Sequence, residues 1–189
     1  VSDAARTLQT SDPAVLRALA HPLRVEILEL LDDDGELTAS DVAARTGQTV
    51  ANCSFHLRQL EKAGYVERAT PRGRQKPWRA AHAQRRMQAD VQDPASVAGV
   101  AAVAALVVQR EAARLVDHFA HPEDYDADWV SATTLTTARF WATRDELAEL
   151  CRAVETLTER FAGRSDDPAL RPPGARPARL FAAAHPEHG

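Results

Sequence analysis

Cysteine is nearly missing from this chain. Its 189 residues hold two, Cys53 and Cys151, far apart in sequence. That excludes a disulfide framework and fits a reducing compartment, so a cytoplasmic protein is expected. Long apolar runs are scarce too. The longest, Val97 to Val108, falls short of the roughly 20 residues that span a bilayer, so no membrane partner is expected. The first residues, VSDAARTLQT, lack the basic-then-apolar layout of a secretory signal. No tandem repeat is visible. A Gly-rich phosphate loop, a nucleophile elbow and a zinc-protease helix are all absent, which argues against an enzyme. Asp32-Asp33-Asp34-Gly35 gathers acid, but the alternating order and distal Glu of a Ca²⁺ loop are lacking, so it reads as a solvated turn. No cofactor is expected. What remains is an ordinary globular composition, 44% hydrophobic with a formal charge of −4, at a length suited to one medium domain or two small ones.

The informative stretch runs from Thr38 to Ala81. Its first piece signals a short helix, with Thr38 or Ser40 as N-cap, apolar Val42 and Ala43, and Gly47 at the stop. A longer helix begins near Thr49 and ends at Gly64. Val50, Cys53, Leu57 and Leu60 recur at helical spacing and should share a buried face. Two helices joined by a tight Gly turn make a helix-turn-helix. Next come strand-type residues, Tyr65 and Val66, then Trp78 to Ala80, around the tip Pro71-Arg72-Gly73-Arg74. That is a hairpin with a basic loop. A helix-turn-helix followed by a basic hairpin is a winged helix, whose usual ligand is duplex DNA. Between Thr49 and Arg86 stand nine Lys or Arg against two acids, Glu61 and Glu67. A positive strip in an acidic chain is an electrostatic footprint for phosphates.

Upstream, Asp12 can cap a helix with Pro13 at its first position. Residues 1–12 should be frayed. A second helix is expected from Pro22 to about Leu31. The run LRALAHPLRVEILELL (Leu16–Leu31), followed by SFHLRQLEKAGYV (Ser54–Val66), resembles the ArsR-type bacterial winged-helix regulators over about Asp12–Ala81. The resemblance implies a homodimeric, cytoplasmic transcription regulator, commonly a repressor released by a ligand or metal.

A recognition helix at about 49–63 would then read the major groove, and a wing at 68–79 the minor groove or backbone. The wheel face opposite Cys53 and Leu57 carries Gln48, Ala51, Asn52, Phe55, Arg58 and Gln59. Asn and Gln can pair with adenine and Arg with guanine, while Phe55 or Ala51 can touch a thymine methyl. Phe55 has a competing reading as a core residue. Thr49 and Ser54 lie at the flanks, suited to phosphate oxygens. His56 falls nearer the buried side, and Trp78 should pack under the wing. Arg72, Arg74 and Lys76 at the wing tip can grip phosphates or enter a minor groove.

The other half is less familiar. Asp93-Pro94 opens a helix to about Ala120. Val97, Ala101, Ala104, Val108, Ala112, Leu115 and Phe119 form one apolar stripe, and Val100, Val103 and Val107 a second. Two stripes need two covers, one from the chain itself and one from a partner subunit. Charge at Val103 or Val107 is accordingly expected to split a dimer. Trp129–Trp141 reads as strand, Thr143 to Glu146 as a capping box, and Leu147 to Phe161 as an amphipathic helix. Pro177–Ala184 reads as a last strand pairing with Ala138–Ala142. The expected architecture is mainly α with small β: a DNA-binding winged helix at 12–90, then a helix–strand–helix–strand dimerisation or sensing domain at 91–189. A small-molecule effector is an alternative partner, with Phe119, Tyr125, Trp129, Phe140 and Trp141 as pocket walls, although aromatics so spaced are more often core. His118 and His121, three apart among acids, are weak metal candidates. The helix before the turn lacks the Cys pair that many ArsR-type metal sensors carry.

Overall fold

The computed structural model describes residues 7–73, 75–82, 84–164 and 167–187. The element order is β1 (Thr7–Thr10), α1 (Pro13–Leu19), α2 (Pro22–Asp34), α3 (Ala39–Thr46), α4 (Val50–Lys62), β2 (Val66–Arg68), β3 (Trp78–Ala80), β4 (Gln84–Met87), α5 (Pro94–Ala120), α6 (Ala127–Ser131) and α7 (Arg144–Thr156). The described residues divide into two compact units, one reaching to Arg110 and taking in residues 167–168, the other formed by residues 111–164 and 169–187.

The first unit is mainly helical with a small β component. Its helices start where local chemistry supplies a cap. Asp12 accepts the Ala14 N–H at 2.7 Å, and Pro13 fills the first position of α1. His21 caps α2 through Nδ1, which accepts the Leu23 N–H at 3.2 Å. Thr38 and Asp41 close a reciprocal capping box on α3. That helix ends at Gly47, whose φ of +66° is left-handed backbone that Gly adopts without a Cβ penalty. Asp32 to Asp34 form the last turn of α2 rather than a separate turn, and Gly35 ends the helix.

These helices close on one core. Leu16, Ile27, Leu31, Val42, Cys53, Leu57, Leu60, Tyr65, Val66 and Val103 are all buried to 2% exposure or less. Each such side chain is worth about 1.5–3 kcal/mol relative to exposure. The hairpin pairs β2 with β3 antiparallel, Val66 opposite Ala80 and Arg68 opposite Trp78. Leu37 adds a third strand position, exchanging both backbone hydrogen bonds with Trp78 at 2.8 and 3.0 Å. Trp78 therefore lies under the wing, 2% exposed.

Two expectations, one near the N-terminus and one at the start of α4, change. Thr7–Thr10 is not frayed: it pairs in parallel with β4, Thr7 opposite Gln84 and Thr10 opposite Met87. That pairing joins residues far apart in sequence, so no local pattern announces it. Val50 is 47% exposed and does not join Cys53, Leu57 and Leu60 in the core. It is the first residue of α4, standing one turn beyond the part of the helix that the core covers.

Helix α5 uses its two stripes in the opposite sense from that expected. Val103 is 1% exposed and belongs to the core, with Leu106 and Val107 packed against it. Ser96 is buried and donates its hydroxyl to the Ser11 carbonyl at 2.7 Å. Gly99 sits against Leu16, and Arg110 pairs with Glu29 at 2.7 Å. The stripe left outside is Val97, Ala101, Ala104 and Val108. Charge at Val103 or Val107 would therefore strike the protomer's own core. By length and composition alone, α5 is the one helix among the described residues able to cross a membrane. The uninterrupted apolar run is shorter than the helix because Gln109, Arg110 and Glu111 follow Val108.

In the second unit α7 opens on the expected capping box, Thr143 and Glu146 exchanging bonds. The two hydrogen bonds from Thr143, backbone first and hydroxyl second, hold the Glu146 carboxyl below the usual carboxylate range. The expected strands are not formed. Residues 127–131 of the segment Trp129–Trp141 and its flank are helix α6, and 132–142 has no regular structure. Pro177–Ala184 is likewise irregular and does not pair with Ala138–Ala142. β-propensity describes fitness for a pleated, half-buried surface, and here no partner strand supplies one.

Candidate nucleic-acid interface

The geometry of α4 divides its residues cleanly. Cys53, Leu57 and Leu60 are fully buried and His56 is 7% exposed. On the other side Gln48, Thr49, Ala51, Phe55 and Arg58 are exposed, with Asn52, Ser54 and Gln59 half-buried. Phe55, 49% exposed, lies outside the core, so its competing reading as a core residue fails. Thr49 caps the helix by accepting the Asn52 N–H at 3.2 Å, which still leaves its hydroxyl hydrogen to donate. Asn52 donates its side-chain amide to Gln48 Oε1 at 3.1 Å. Gln48 stands just before the Thr49 N-cap, and across the start of α4 the two amides orient each other before any ligand arrives.

Behind this face lies a cluster of His21, His56 and Arg24. The two imidazole rings stand 4.6 Å apart, centre to centre. Burial first, and the Arg24 guanidinium second, push the His21 imidazole below its usual range. Burial, then His21 and Arg24, do the same to His56. His56 Nδ1 and Arg24 Nε are buried without a hydrogen-bond partner. Both histidines are thus held neutral, and the neutral form of His21 is the one that can accept the Leu23 N–H.

The wing presents cations of unequal freedom. Arg79 is paired with Glu67 at 2.7 Å, Arg72 with Glu36 at 2.8 Å, and Arg85 with Asp32 at 2.7 Å. Arg45 is paired with Asp34. Arg58 and Lys76 make no ion pair among the described residues. Arg74 lies outside the described residues. Arg68, which the motif reading passed over, lies over Trp78 with its guanidinium carbon 3.4 Å from the ring centre, and it faces Glu61 at 3.4 Å. Strand alternation could have found it: Trp78, directly opposite, faces the core edge, and the long Arg stem lies across it.

A cleft of about 430 Å³ opens between the α3 N-terminus, α4 and the wing. Ser40, Asp41, Ser54, Arg58, Arg68 and Lys76 are among its lining residues. Of these, Ser54, Arg58 and Lys76 were expected to meet DNA, while Ser40 and Arg68 were not recognised. The Asp41 carboxyl is held below its usual range by the Thr38 hydroxyl and then the Thr38 N–H. Its charge is committed to the capping box.

The remaining candidates lie in the second unit or at the end of α5. Phe119, Tyr125 and Phe140 are 40–55% exposed, Trp141 is fully exposed, and Trp129 is half-buried with Arg176 over its ring at 5.4 Å. His118 packs edge-on against Tyr125, centres 4.6 Å apart. His121 turns back on Asp117, with its Nδ1 3.3 Å from the carboxylate. Among the described residues no three His, Cys, Asp or Glu side chains gather in a metal-binding group.

A family model described as a helix-turn-helix domain matches residues 19–69. Among solved structures, a fragment of residues 1–100 from Mycobacterium bovis is similar in its solution and crystal forms. The solution form is described as a homodimeric winged helix-turn-helix DNA-binding domain of a possible ArsR-family transcriptional regulator. It is 34% identical over 36% of this chain, with a TM-score of 0.34, and the chain spans 61% of that fragment's length. The crystal form is also 34% identical, covering 36% of this chain and 71% of the fragment, with a TM-score of 0.33. A possible transcriptional regulator for arsenical resistance is 30% identical over 55% of this chain and 93% of its own, with a TM-score of 0.33. Through residues 19–69, with the hairpin that follows them, this chain belongs to the winged helix-turn-helix proteins, and its likeness is to their ArsR-type regulators.

Proposed function

We propose that this protein is a homodimeric transcription regulator that binds specific double-stranded DNA and acts as a repressor. Residues 12–90 would carry DNA binding and 91–189 dimerisation and sensing, with the first part of α5 packed on the winged-helix core. One observation carries the reading. Helix α4 buries Cys53, Leu57 and Leu60 completely while Asn52, Phe55 and Gln59 face outward. A helix so anchored can enter a major groove with side chains suited to base edges in a fixed register. Arg58 and Lys76 beside it, without an ion-pair partner among the described residues, suit phosphates.

The dimer rests on α5. Val97 and Val108 are 42% and 48% exposed on a stripe whose members between them, Ala101 and Ala104, are alanines. Such a small-residue face suits close approach of a second copy. A two-fold arrangement would set two recognition helices about 34 Å apart, one DNA turn, matching a palindromic site. Footprinting on the chain's own promoter region tests this. A protected palindrome, with transcription from that promoter lowered by the protein, is the expected result. Equal affinity for promoter and random duplex would refute sequence-specific regulation.

A further inference from the structure

We propose that the cleft between the α3 N-terminus, α4 and the wing seats one phosphate of the DNA backbone, with Arg68 as its positioning cation. The inference rests on the duplex-binding reading and adds where the backbone runs.

Three cations line the cleft against one acid, Asp41, whose carboxylate already accepts the Thr38 N–H at 2.8 Å and the Thr38 hydroxyl at 2.7 Å. The excess is positive, and it is not spent inside the protein: Arg58 and Lys76 have no ionic partner among the described residues, unlike Arg72, Arg79 and Arg85 around them. Arg68 is different in kind. Its guanidinium carbon sits over a buried indole, 3.4 Å from the ring centre, and Glu61 at the far end of α4 steadies it across a half-exposed gap. A planar fork already oriented loses little freedom when it takes a phosphate oxygen, and a lysine could not lie on the ring in that way. The pair with Glu61 is open to water, so a phosphate can displace it. Ser40 and Ser54 add hydroxyl donors on the two helices. A smaller hollow of about 320 Å³, lined by Arg68, Ala69, Pro71 and Lys76, adjoins on the wing side. Arg68 and Lys76 thus border both hollows. Free inorganic phosphate or a phosphorylated small molecule would meet the same donors, but a cleft opening beside the exposed face of α4 points to the backbone of the duplex that α4 reads.

The test uses the full chain and two duplexes, one from its promoter region and one random, titrated over a range of salt. Arg58→Gln, Lys76→Gln and Arg68→Gln should each weaken both duplexes alike. Each should shrink the slope of log affinity against log salt by about 0.9, or about threefold less sensitivity across a fourfold change of salt. Arg68→Lys should keep the slope, since the charge remains, yet bind more weakly, since the stacked fork is lost. Circular dichroism confirms that each variant folds. Unchanged slopes and affinities in all three Gln variants, with Asn52→Ala still losing sequence preference, would overturn the seat while leaving the duplex reading intact. A wild-type chain that binds neither duplex would overturn both. Inorganic phosphate, compared with chloride at matched ionic strength, separates the two sources. Displacement no stronger than that by chloride is expected. Saturable displacement by phosphate that disappears in Arg68→Gln would assign the seat to a free phosphate and refute the backbone assignment.

Discussion

Helix α5 has two apolar faces, and a single carboxylate placed on each should give opposite results. Val103 is 1% exposed within the core of the first unit. Replacing it by Asp forfeits its burial, about 1.5–3 kcal/mol, and leaves an unpaired carboxylate inside, which costs several kcal/mol more. The sum is comparable with the whole stability of a typical domain, about 5–15 kcal/mol. Val103→Asp should therefore unfold the winged helix or force its carboxyl to stay protonated. Val108 is 48% exposed in the protomer, where an Asp can keep its water and should change stability by no more than about 0.5 kcal/mol. At a two-fold seam the same Asp would be buried, at about 4 kcal/mol, close to a thousandfold in dimer Kd. Thermal unfolding by circular dichroism, sedimentation velocity and operator binding on the two variants check this. Val103→Asp should lose its cooperative melt. Val108→Asp should keep its melt, sediment as a monomer and lose most operator affinity. A Val108→Asp protein that remains dimeric and binds normally would remove α5 as the seam, with α7 the next candidate. A Val103→Asp protein with an unaltered melt would refute the packing of α5 on the winged helix.

Gly99→Ala weighs two known effects against each other. An alanine favours the helix by about 1 kcal/mol over glycine, but its Cβ would stand 2.9 Å from the Cβ of fully buried Leu16, and overpacking costs about 1–3 kcal/mol. The urea midpoint should fall; a rise would mean that α5 does not press on α1. Stability should also depend on pH through His21 and His56, whose folded-state values lie below the ordinary 6.5. The unfolded chain takes up protons first, so their contribution is complete above about pH 6.5 and is lost as pH falls through that value toward the folded one. Denaturation at about pH 7.5 and about pH 5.5 should show the loss, and His21→Asn, which keeps an N-cap, should flatten it; equal midpoints at both pH values would sink the idea. Asn52→Ala and Gln59→Ala should each relax preference at one base pair by about 1–3 kcal/mol while leaving the salt slope unchanged, as competition with single-base operator variants would show.

The sequence by itself determined the helix-turn-helix and its wing, because every signal there is local. Thr38, Asp41 and Gly47 mark the ends of α3, Thr49 starts α4, and the spacing of Cys53, Leu57 and Leu60 sets which face of α4 is buried. Most of the proposed base-reading residues follow from that phase alone. Tertiary structure decided what depends on partners distant in the chain. Periodicity showed two stripes on α5 but could not tell which one meets Leu16 and the core, since both are apolar and both ask for a cover. The β1–β4 pair joins Thr7–Thr10 to Gln84–Met87, a register that no window of sequence contains. Trp129–Trp141 and Pro177–Ala184 have strand-like composition and form no strand, because β-structure needs a neighbour to hydrogen-bond. The division of the basic strip into paired and free cations was also invisible. Charge counts give the sum for Thr49–Arg86, but only the fold brings Glu36 to Arg72 and Asp32 to Arg85 while Arg58 and Lys76 make no ion pair among the described residues.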